Sequence, residues 1–111
     1  MQTYKVIIID AADQTILYSD KKINTYPQED FNNMLVETIG SPSIGNIDLD
    51  DKHTMFYDSY PISLEEKPCF IINDIMFFGK MLILGHNKYL CDVDIDHNIL
   101  KEKTTFQMFG V

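Results

Sequence analysis

Thr25-Tyr-Pro-Gln-Glu-Asp-Phe-Asn-Asn-Met-Leu-Val-Glu-Thr-Ile-Gly40 is the stretch with the clear period of an amphipathic helix. Phe31, Met34, Leu35 and Ile39 fall at i, i+3, i+4 and i+8, which places them on one apolar stripe. Pro27 suits the first helical turn, where a missing N–H costs nothing, and Glu29 and Asp30 suit the positive end of the helix dipole. Gly40 supplies the left-handed residue that ends many helices, and Ser41-Pro42 prevents continuation. The spacing therefore predicts one principal helix at about residues 27–39.

Nearly everything around it has the period of strands. Tyr4 to Asp10 is a β-branched run, and Ala11-Ala-Asp-Gln14 separates it from Thr15 to Ser19, so the two read as a hairpin. Lys21 to Asn24 extends the second strand or pairs separately. A second hairpin joins Ile44–Leu49 to Thr54–Tyr57 through Asp50-Asp-Lys-His53, with Ile47 and Leu49 alternating against polar neighbours. Cys69–Ile72 and Met81–Leu84 are apolar on both faces and read as central strands, with Phe77-Phe78-Gly79 between them as a strand bulged at the glycine. Tyr60 to Pro68 reads as a loop with a helical turn after Ser63. Tyr89–Ile95 reads as another alternating strand, Asn98–Lys103 as a short helix and Thr104–Phe109 as a last strand. The fold class is α+β, a mainly antiparallel sheet with the principal helix packed on one face. A chain of 111 residues with 45% apolar residues makes one domain, residues 1–111, able to form a core without disulfides or metal.

Charge narrows the choice of partner. Seventeen acidic residues against nine basic ones give −8, and all nine basic residues are lysines. Without arginine the chain lacks the planar fork that grips phosphates, and a negative field repels polyanions. Direct nucleic-acid binding is disfavoured, and a partner with a basic surface is the better match. The longest apolar stretch, Ile75 to Leu84, is broken by Gly79-Lys80 and is about half a membrane span. The first residues lack the pattern of an export signal, so the expected compartment is a reducing cytoplasm with Cys69 and Cys91 as buried thiols.

No residue constellation completes a known chemistry. Asp92-Val-Asp-Ile-Asp-His-Asn98 opens like a calcium loop, but the sixth position is His97 and the twelfth is Lys103. On a strand, Asp92, Asp94 and Asp96 share one wet face while Val93 and Ile95 turn inward. Asp48, Asp50 and Asp51 form a similar group, and the two groups adjoin only if their strands are neighbours. His86, Cys91 and His97 match no common zinc spacing. Nucleophile elbow, phosphate loop and dinucleotide fingerprint are missing, so no cofactor is expected and the chain reads as a non-enzyme.

The order of segments from Tyr4-Lys-Val-Ile-Ile-Ile through Glu37-Thr-Ile-Gly40 and Asp48-Leu-Asp-Asp51 to Gly79-Lys-Met-Leu-Ile-Leu-Gly85 resembles small uncharacterised domains of phages and conjugative elements. The resemblance covers about residues 4–86 and implies an accessory gene of a mobile element, with no activity or functional residue attached. The leading expectation is a small acidic binding protein that docks on a basic protein surface through Asp48, Asp50, Asp51, Asp92, Asp94 and Asp96. A nucleotide-like small-molecule binder is the alternative, with Tyr57, Tyr60, Phe77 and Phe78 as stacking surfaces. A metal-dependent hydrolase is a further one. An edge strand also offers a route to a homodimer.

Overall fold

A computed structural model of the chain describes residues 2–61 and 67–109. The helical turn expected after Ser63 lies outside them. Among the described residues, nine strands and two helices follow in the order β1 (Gln2–Asp10), β2 (Thr15–Ile23), α1 (Gln28–Ile39), β3 (Ile44–Asp50), β4 (His53–Asp58), β5 (Lys67–Ile72), β6 (Ile75–Phe78), β7 (Lys80–Asn87), β8 (Tyr89–Cys91), α2 (His97–Lys103) and β9 (Thr105–Phe109). All observed pairings are antiparallel. The fold is α+β with two helices. Its strands divide between two sheets, a larger one ordered β2-β1-β7-β4-β3, with β8 also paired to β7, and a smaller one ordered β6-β5-β9.

Strand β7 holds the larger sheet together. Met81, Leu82, Ile83 and Leu84 are all buried, because successive side chains point to opposite faces and both faces are covered. Met81 and Ile83 join Ile7, Ile9 and Met55 in a core shared with Phe70, Ile72 and Phe77 of the smaller sheet and Leu100 of α2. Leu82 and Leu84 join Val6 and Ile23 in a second core with Leu35 and Ile39 of α1. Helix α1 begins one residue later than Pro27 suggested. Pro27 is its N-cap, with extended backbone and no side-chain cap, and Gly40 ends it at φ 78°.

Two turns decide the split into sheets. Asn73 and Asp74 both have positive φ (52° and 63°), the backbone that a tight hairpin needs, so β5 and β6 pair directly. Gly79 follows at φ 70°, and there the chain leaves the smaller sheet and enters β7 of the larger one. Gly79 is thus a switch between sheets, where a bulge within one strand was expected. The strand expected over Tyr89–Ile95 stops at Cys91, and residues 92–96 run outside any ladder.

Replacing Leu82 by Ala removes a side chain with no exposed surface and leaves a cavity under α1. Urea denaturation should show a loss of about 2–5 kcal/mol. Leu17→Ala, at a position 55% exposed, should stay within about 0.5 kcal/mol of the parent.

Candidate functional site

The site begins at the β3–β4 turn. A register shift between Asp48 and Asp50 bends the end of β3, and the Asp50 carboxylate folds back over the turn. Its Oδ1 accepts the Lys52 backbone N–H at 2.8 Å. The His53 ring lies beside it, with Nδ1 at 2.8 and 3.0 Å from the two carboxylate oxygens. His53 is only 3% exposed, which makes it one of the few buried polar side chains among the described residues. Its other nitrogen, Nε2, accepts the backbone N–H of Asp94 at 2.9 Å.

These contacts fix the proton. A backbone N–H can only donate, so Nε2 must be bare and Nδ1 must carry the hydrogen that points at Asp50. The ring is therefore neutral and both its nitrogens are committed. Burial pushes the Asp50 carboxyl upward, but the N–H groups of Lys52 and His53 outweigh it and hold the pKa below its ordinary 3.8.

Residues 92–96 are held from several directions although they belong to no strand. Strands β1 and β8 border the same edge of β7 in succession, β1 opposite residues 80–83 and β8 opposite residues 85–87. Where the chain passes from β8 back toward β1, the Asp92 Oδ1 accepts the Lys5 N–H at 2.8 Å. Val93 N–H donates to the Lys5 carbonyl at 3.0 Å. Tyr18 donates its hydroxyl to the Ile95 carbonyl at 2.8 Å, and its ring stands edge-on to His97. Burial, then the Asp96 charge, raises the Tyr18 pKa, so the phenol remains a donor. Asp96 caps α2 by accepting from Asn98 and Ile99 N–H at 2.9 and 3.3 Å. Gly85 lies beneath this crossing: a Cβ there would sit 2.5 Å from the Asp92 carbonyl oxygen and 2.8 Å from that of Cys91.

The six aspartates singled out from the sequence thus have different tasks. Asp50, Asp92 and Asp96 spend their carboxylates inside the fold, and Asp48 accepts from the Thr54 hydroxyl at 3.2 Å. Asp51 and Asp94 are exposed, and their carboxylates make no hydrogen bond among the described residues. The two groups adjoin at Asp50, through His53 rather than through neighbouring strands, while Asp48 turns to the other face of the sheet. Val93 and Ile95 pack against the core while Asp92, Asp94 and Asp96 are exposed, so the expected alternation holds without the expected strand. Nothing local marks His53, because its second partner lies 41 residues away along the chain. Among the described residues no three His, Cys, Asp or Glu side chains are grouped so as to hold a metal ion.

A second feature lies on the other face of the larger sheet. A groove of about 400 Å³ runs between the first turns of α1 and strands β4, β7 and β8. Phe31, Phe56, Leu84 and Leu90 give it apolar walls, and the two phenylalanines meet edge to face at 6.0 Å. Asp48, Thr54, His86, Lys88 and Tyr89 supply the polar part of its lining. The Nε2 of His86 is buried with no hydrogen-bond partner among the described residues. The aromatic residues proposed from the sequence as stacking surfaces are elsewhere. Phe77 is buried against Phe70 and Tyr57 in the inter-sheet core, Lys67 lies over Phe78, and Tyr60 is exposed. Tyr57 also covers Gly45, where a Cβ would come within 2.7 Å of the ring. Cys69 is buried as expected, but Cys91 is only partly so, because the strand that would have turned it inward ends there.

Two substitutions test this description. Asp50→Asn removes a carboxylate whose pKa is depressed in the fold, so the stability it contributes is present above about pH 4 and disappears as the pH falls through the folded value. The stability gap between parent and variant should be widest near neutrality and close in acid. Gly85→Ala sets a methyl group against the 91–92 backbone and should cost about 1–3 kcal/mol in thermal or urea unfolding.

No protein-family model matches this chain, and neither the curated proteins nor the solved structures include a significant match to it.

Proposed function

We propose that the chain is a non-enzymatic binding protein, an accessory factor of a phage or mobile element, that docks in the cytoplasm on a basic protein surface. The docking face is the 92–96 segment together with the 50–53 turn. The observation that supports this reading most is the hydrogen bond from Asp94 N–H to His53 Nε2, which ties the 92–96 segment to the turn that carries Asp50 and Asp51. A surface held in this way pays little ordering entropy when a partner arrives. Asp51 and Asp94 extend from it as solvated charges, and the −8 of the whole chain speeds encounter with a cationic partner.

The groove favours a second reading, small-molecule binding, on the opposite face of the sheet. Metal-dependent hydrolysis gains no support from the grouping of side chains among the described residues and is not proposed.

The docking reading is tested with the double substitution Asp51→Asn and Asp94→Asn, which leaves the described hydrogen bonds intact. The immobilised variant should capture fewer basic proteins from lysate at low salt than the parent, with the difference shrinking at high salt. Its thermal midpoint should not move. Equal capture by parent and variant at low salt would remove the proposal.

A further inference from the structure

We infer that the groove between α1 and strands β4, β7 and β8 binds a small zwitterion with an apolar body, of the class of free amino acids with large aliphatic or aromatic side chains. Its volume, about 400 Å³, falls within the roughly 300–1,000 Å³ of small-molecule sites. Phe31, Phe56, Leu84 and Leu90 offer an apolar body somewhere to leave water.

The charges select the rest of the ligand. Asp48 and Lys88 both line the groove, yet they form no ion pair with each other, and among the described residues no lysine is within ion-pair distance of a carboxylate. Thr54 donates to Asp48 Oδ1 and holds that carboxylate at the groove wall. Lys88 sits at the tip of the β7–β8 turn with φ 66°, a backbone that non-glycine residues seldom adopt. A ligand with one ammonium and one carboxylate answers both side chains at once.

His86 adds a third polar group. The residue lines the groove, and its Nε2 is buried with no hydrogen-bond partner among the described residues. Turning the ring over costs Nε2 no hydrogen bond and can bring a nitrogen to the ligand. A phosphorylated ligand suits the groove poorly. It would meet one lysine and no arginine, with Asp48 in the wall and Glu29 and Asp30 in the nearby first turn of α1.

The test is a titration of the isotope-labelled full chain with L-phenylalanine and L-leucine, read by amide and histidine NMR shifts. The control ligand is N-acetyl-L-phenylalanine amide, which keeps the apolar body and loses both charges. Saturable shifts are expected at Phe31, Phe56, His86 and Tyr89, with affinity for the control at least about tenfold lower. Asp48→Asn keeps an acceptor for Thr54, and Lys88→Asn keeps a residue that tolerates positive φ, so both variants should fold with an unchanged thermal midpoint. Each should weaken L-phenylalanine binding about tenfold, and Asp94→Asn should leave it unaltered. The inference is overturned by any of three results: no saturable shift at these residues with either amino acid, equal affinity for the blocked compound, or parental affinity in both charge variants.

Discussion

Four consecutive residues, Met81 to Leu84, are hidden on both faces of strand β7, and most of the molecule is arranged to make that possible. A strand whose side chains alternate cannot bury all of them unless a layer lies on each side. Helix α1 contributes Leu35 and Ile39 to the cluster on one side. The smaller sheet contributes Phe70, Ile72 and Phe77, and α2 contributes Leu100, on the other. Backbone pairing adds a second demand, since β7 is bordered by β4 along one edge and by β1 and then β8 along the other. No helix among the described residues is long and apolar enough to cross a membrane, and the apolar residues of β7 are accounted for by this packing.

The transfer from β1 to β8 along one edge of β7 leaves a problem that His53 and its neighbours solve. The chain must cross from β8 to α2 over Gly85, and there it has no regular ladder to satisfy its backbone groups. Side chains replace the ladder: Asp92 receives the Lys5 amide, His53 receives the Asp94 amide and Tyr18 serves the Ile95 carbonyl. Each of these acceptors or donors comes from a different part of the sequence. The segment is consequently fixed by tertiary contacts, with its one remaining carboxylate, that of Asp94, directed to solvent.

This explains what could be read from the residues and what could not. Helix α1 announced itself because its stripe, its acidic first turn and Gly40 are all local signals, and β1–β2 did so because a β-branched run faces its partner across a short polar turn. The two-sheet division was hidden. Strands β5 and β7 are equally apolar, and only the positive φ values at Asn73, Asp74 and Gly79 separate them. Residues 92–96 mimicked a strand because alternation reports which way side chains face and says nothing about hydrogen-bonding neighbours. His53 was read as a turn residue, since burial of a histidine depends on partners that sequence distance conceals. The groove was equally invisible, being assembled from α1, β4, β7 and β8.

Both candidate surfaces therefore rest on side chains that the fold holds in place, and the histidine at the centre of the acidic face bears the most weight. Two-bond proton–nitrogen correlation spectra of His53 near neutral pH report its tautomer, and exchange of the Asp94 amide reports whether that bond persists. A neutral ring with the proton on Nδ1, together with a slowly exchanging Asp94 amide, is the predicted result. A proton on Nε2, or an Asp94 amide that exchanges as fast as an open loop, would contradict the account.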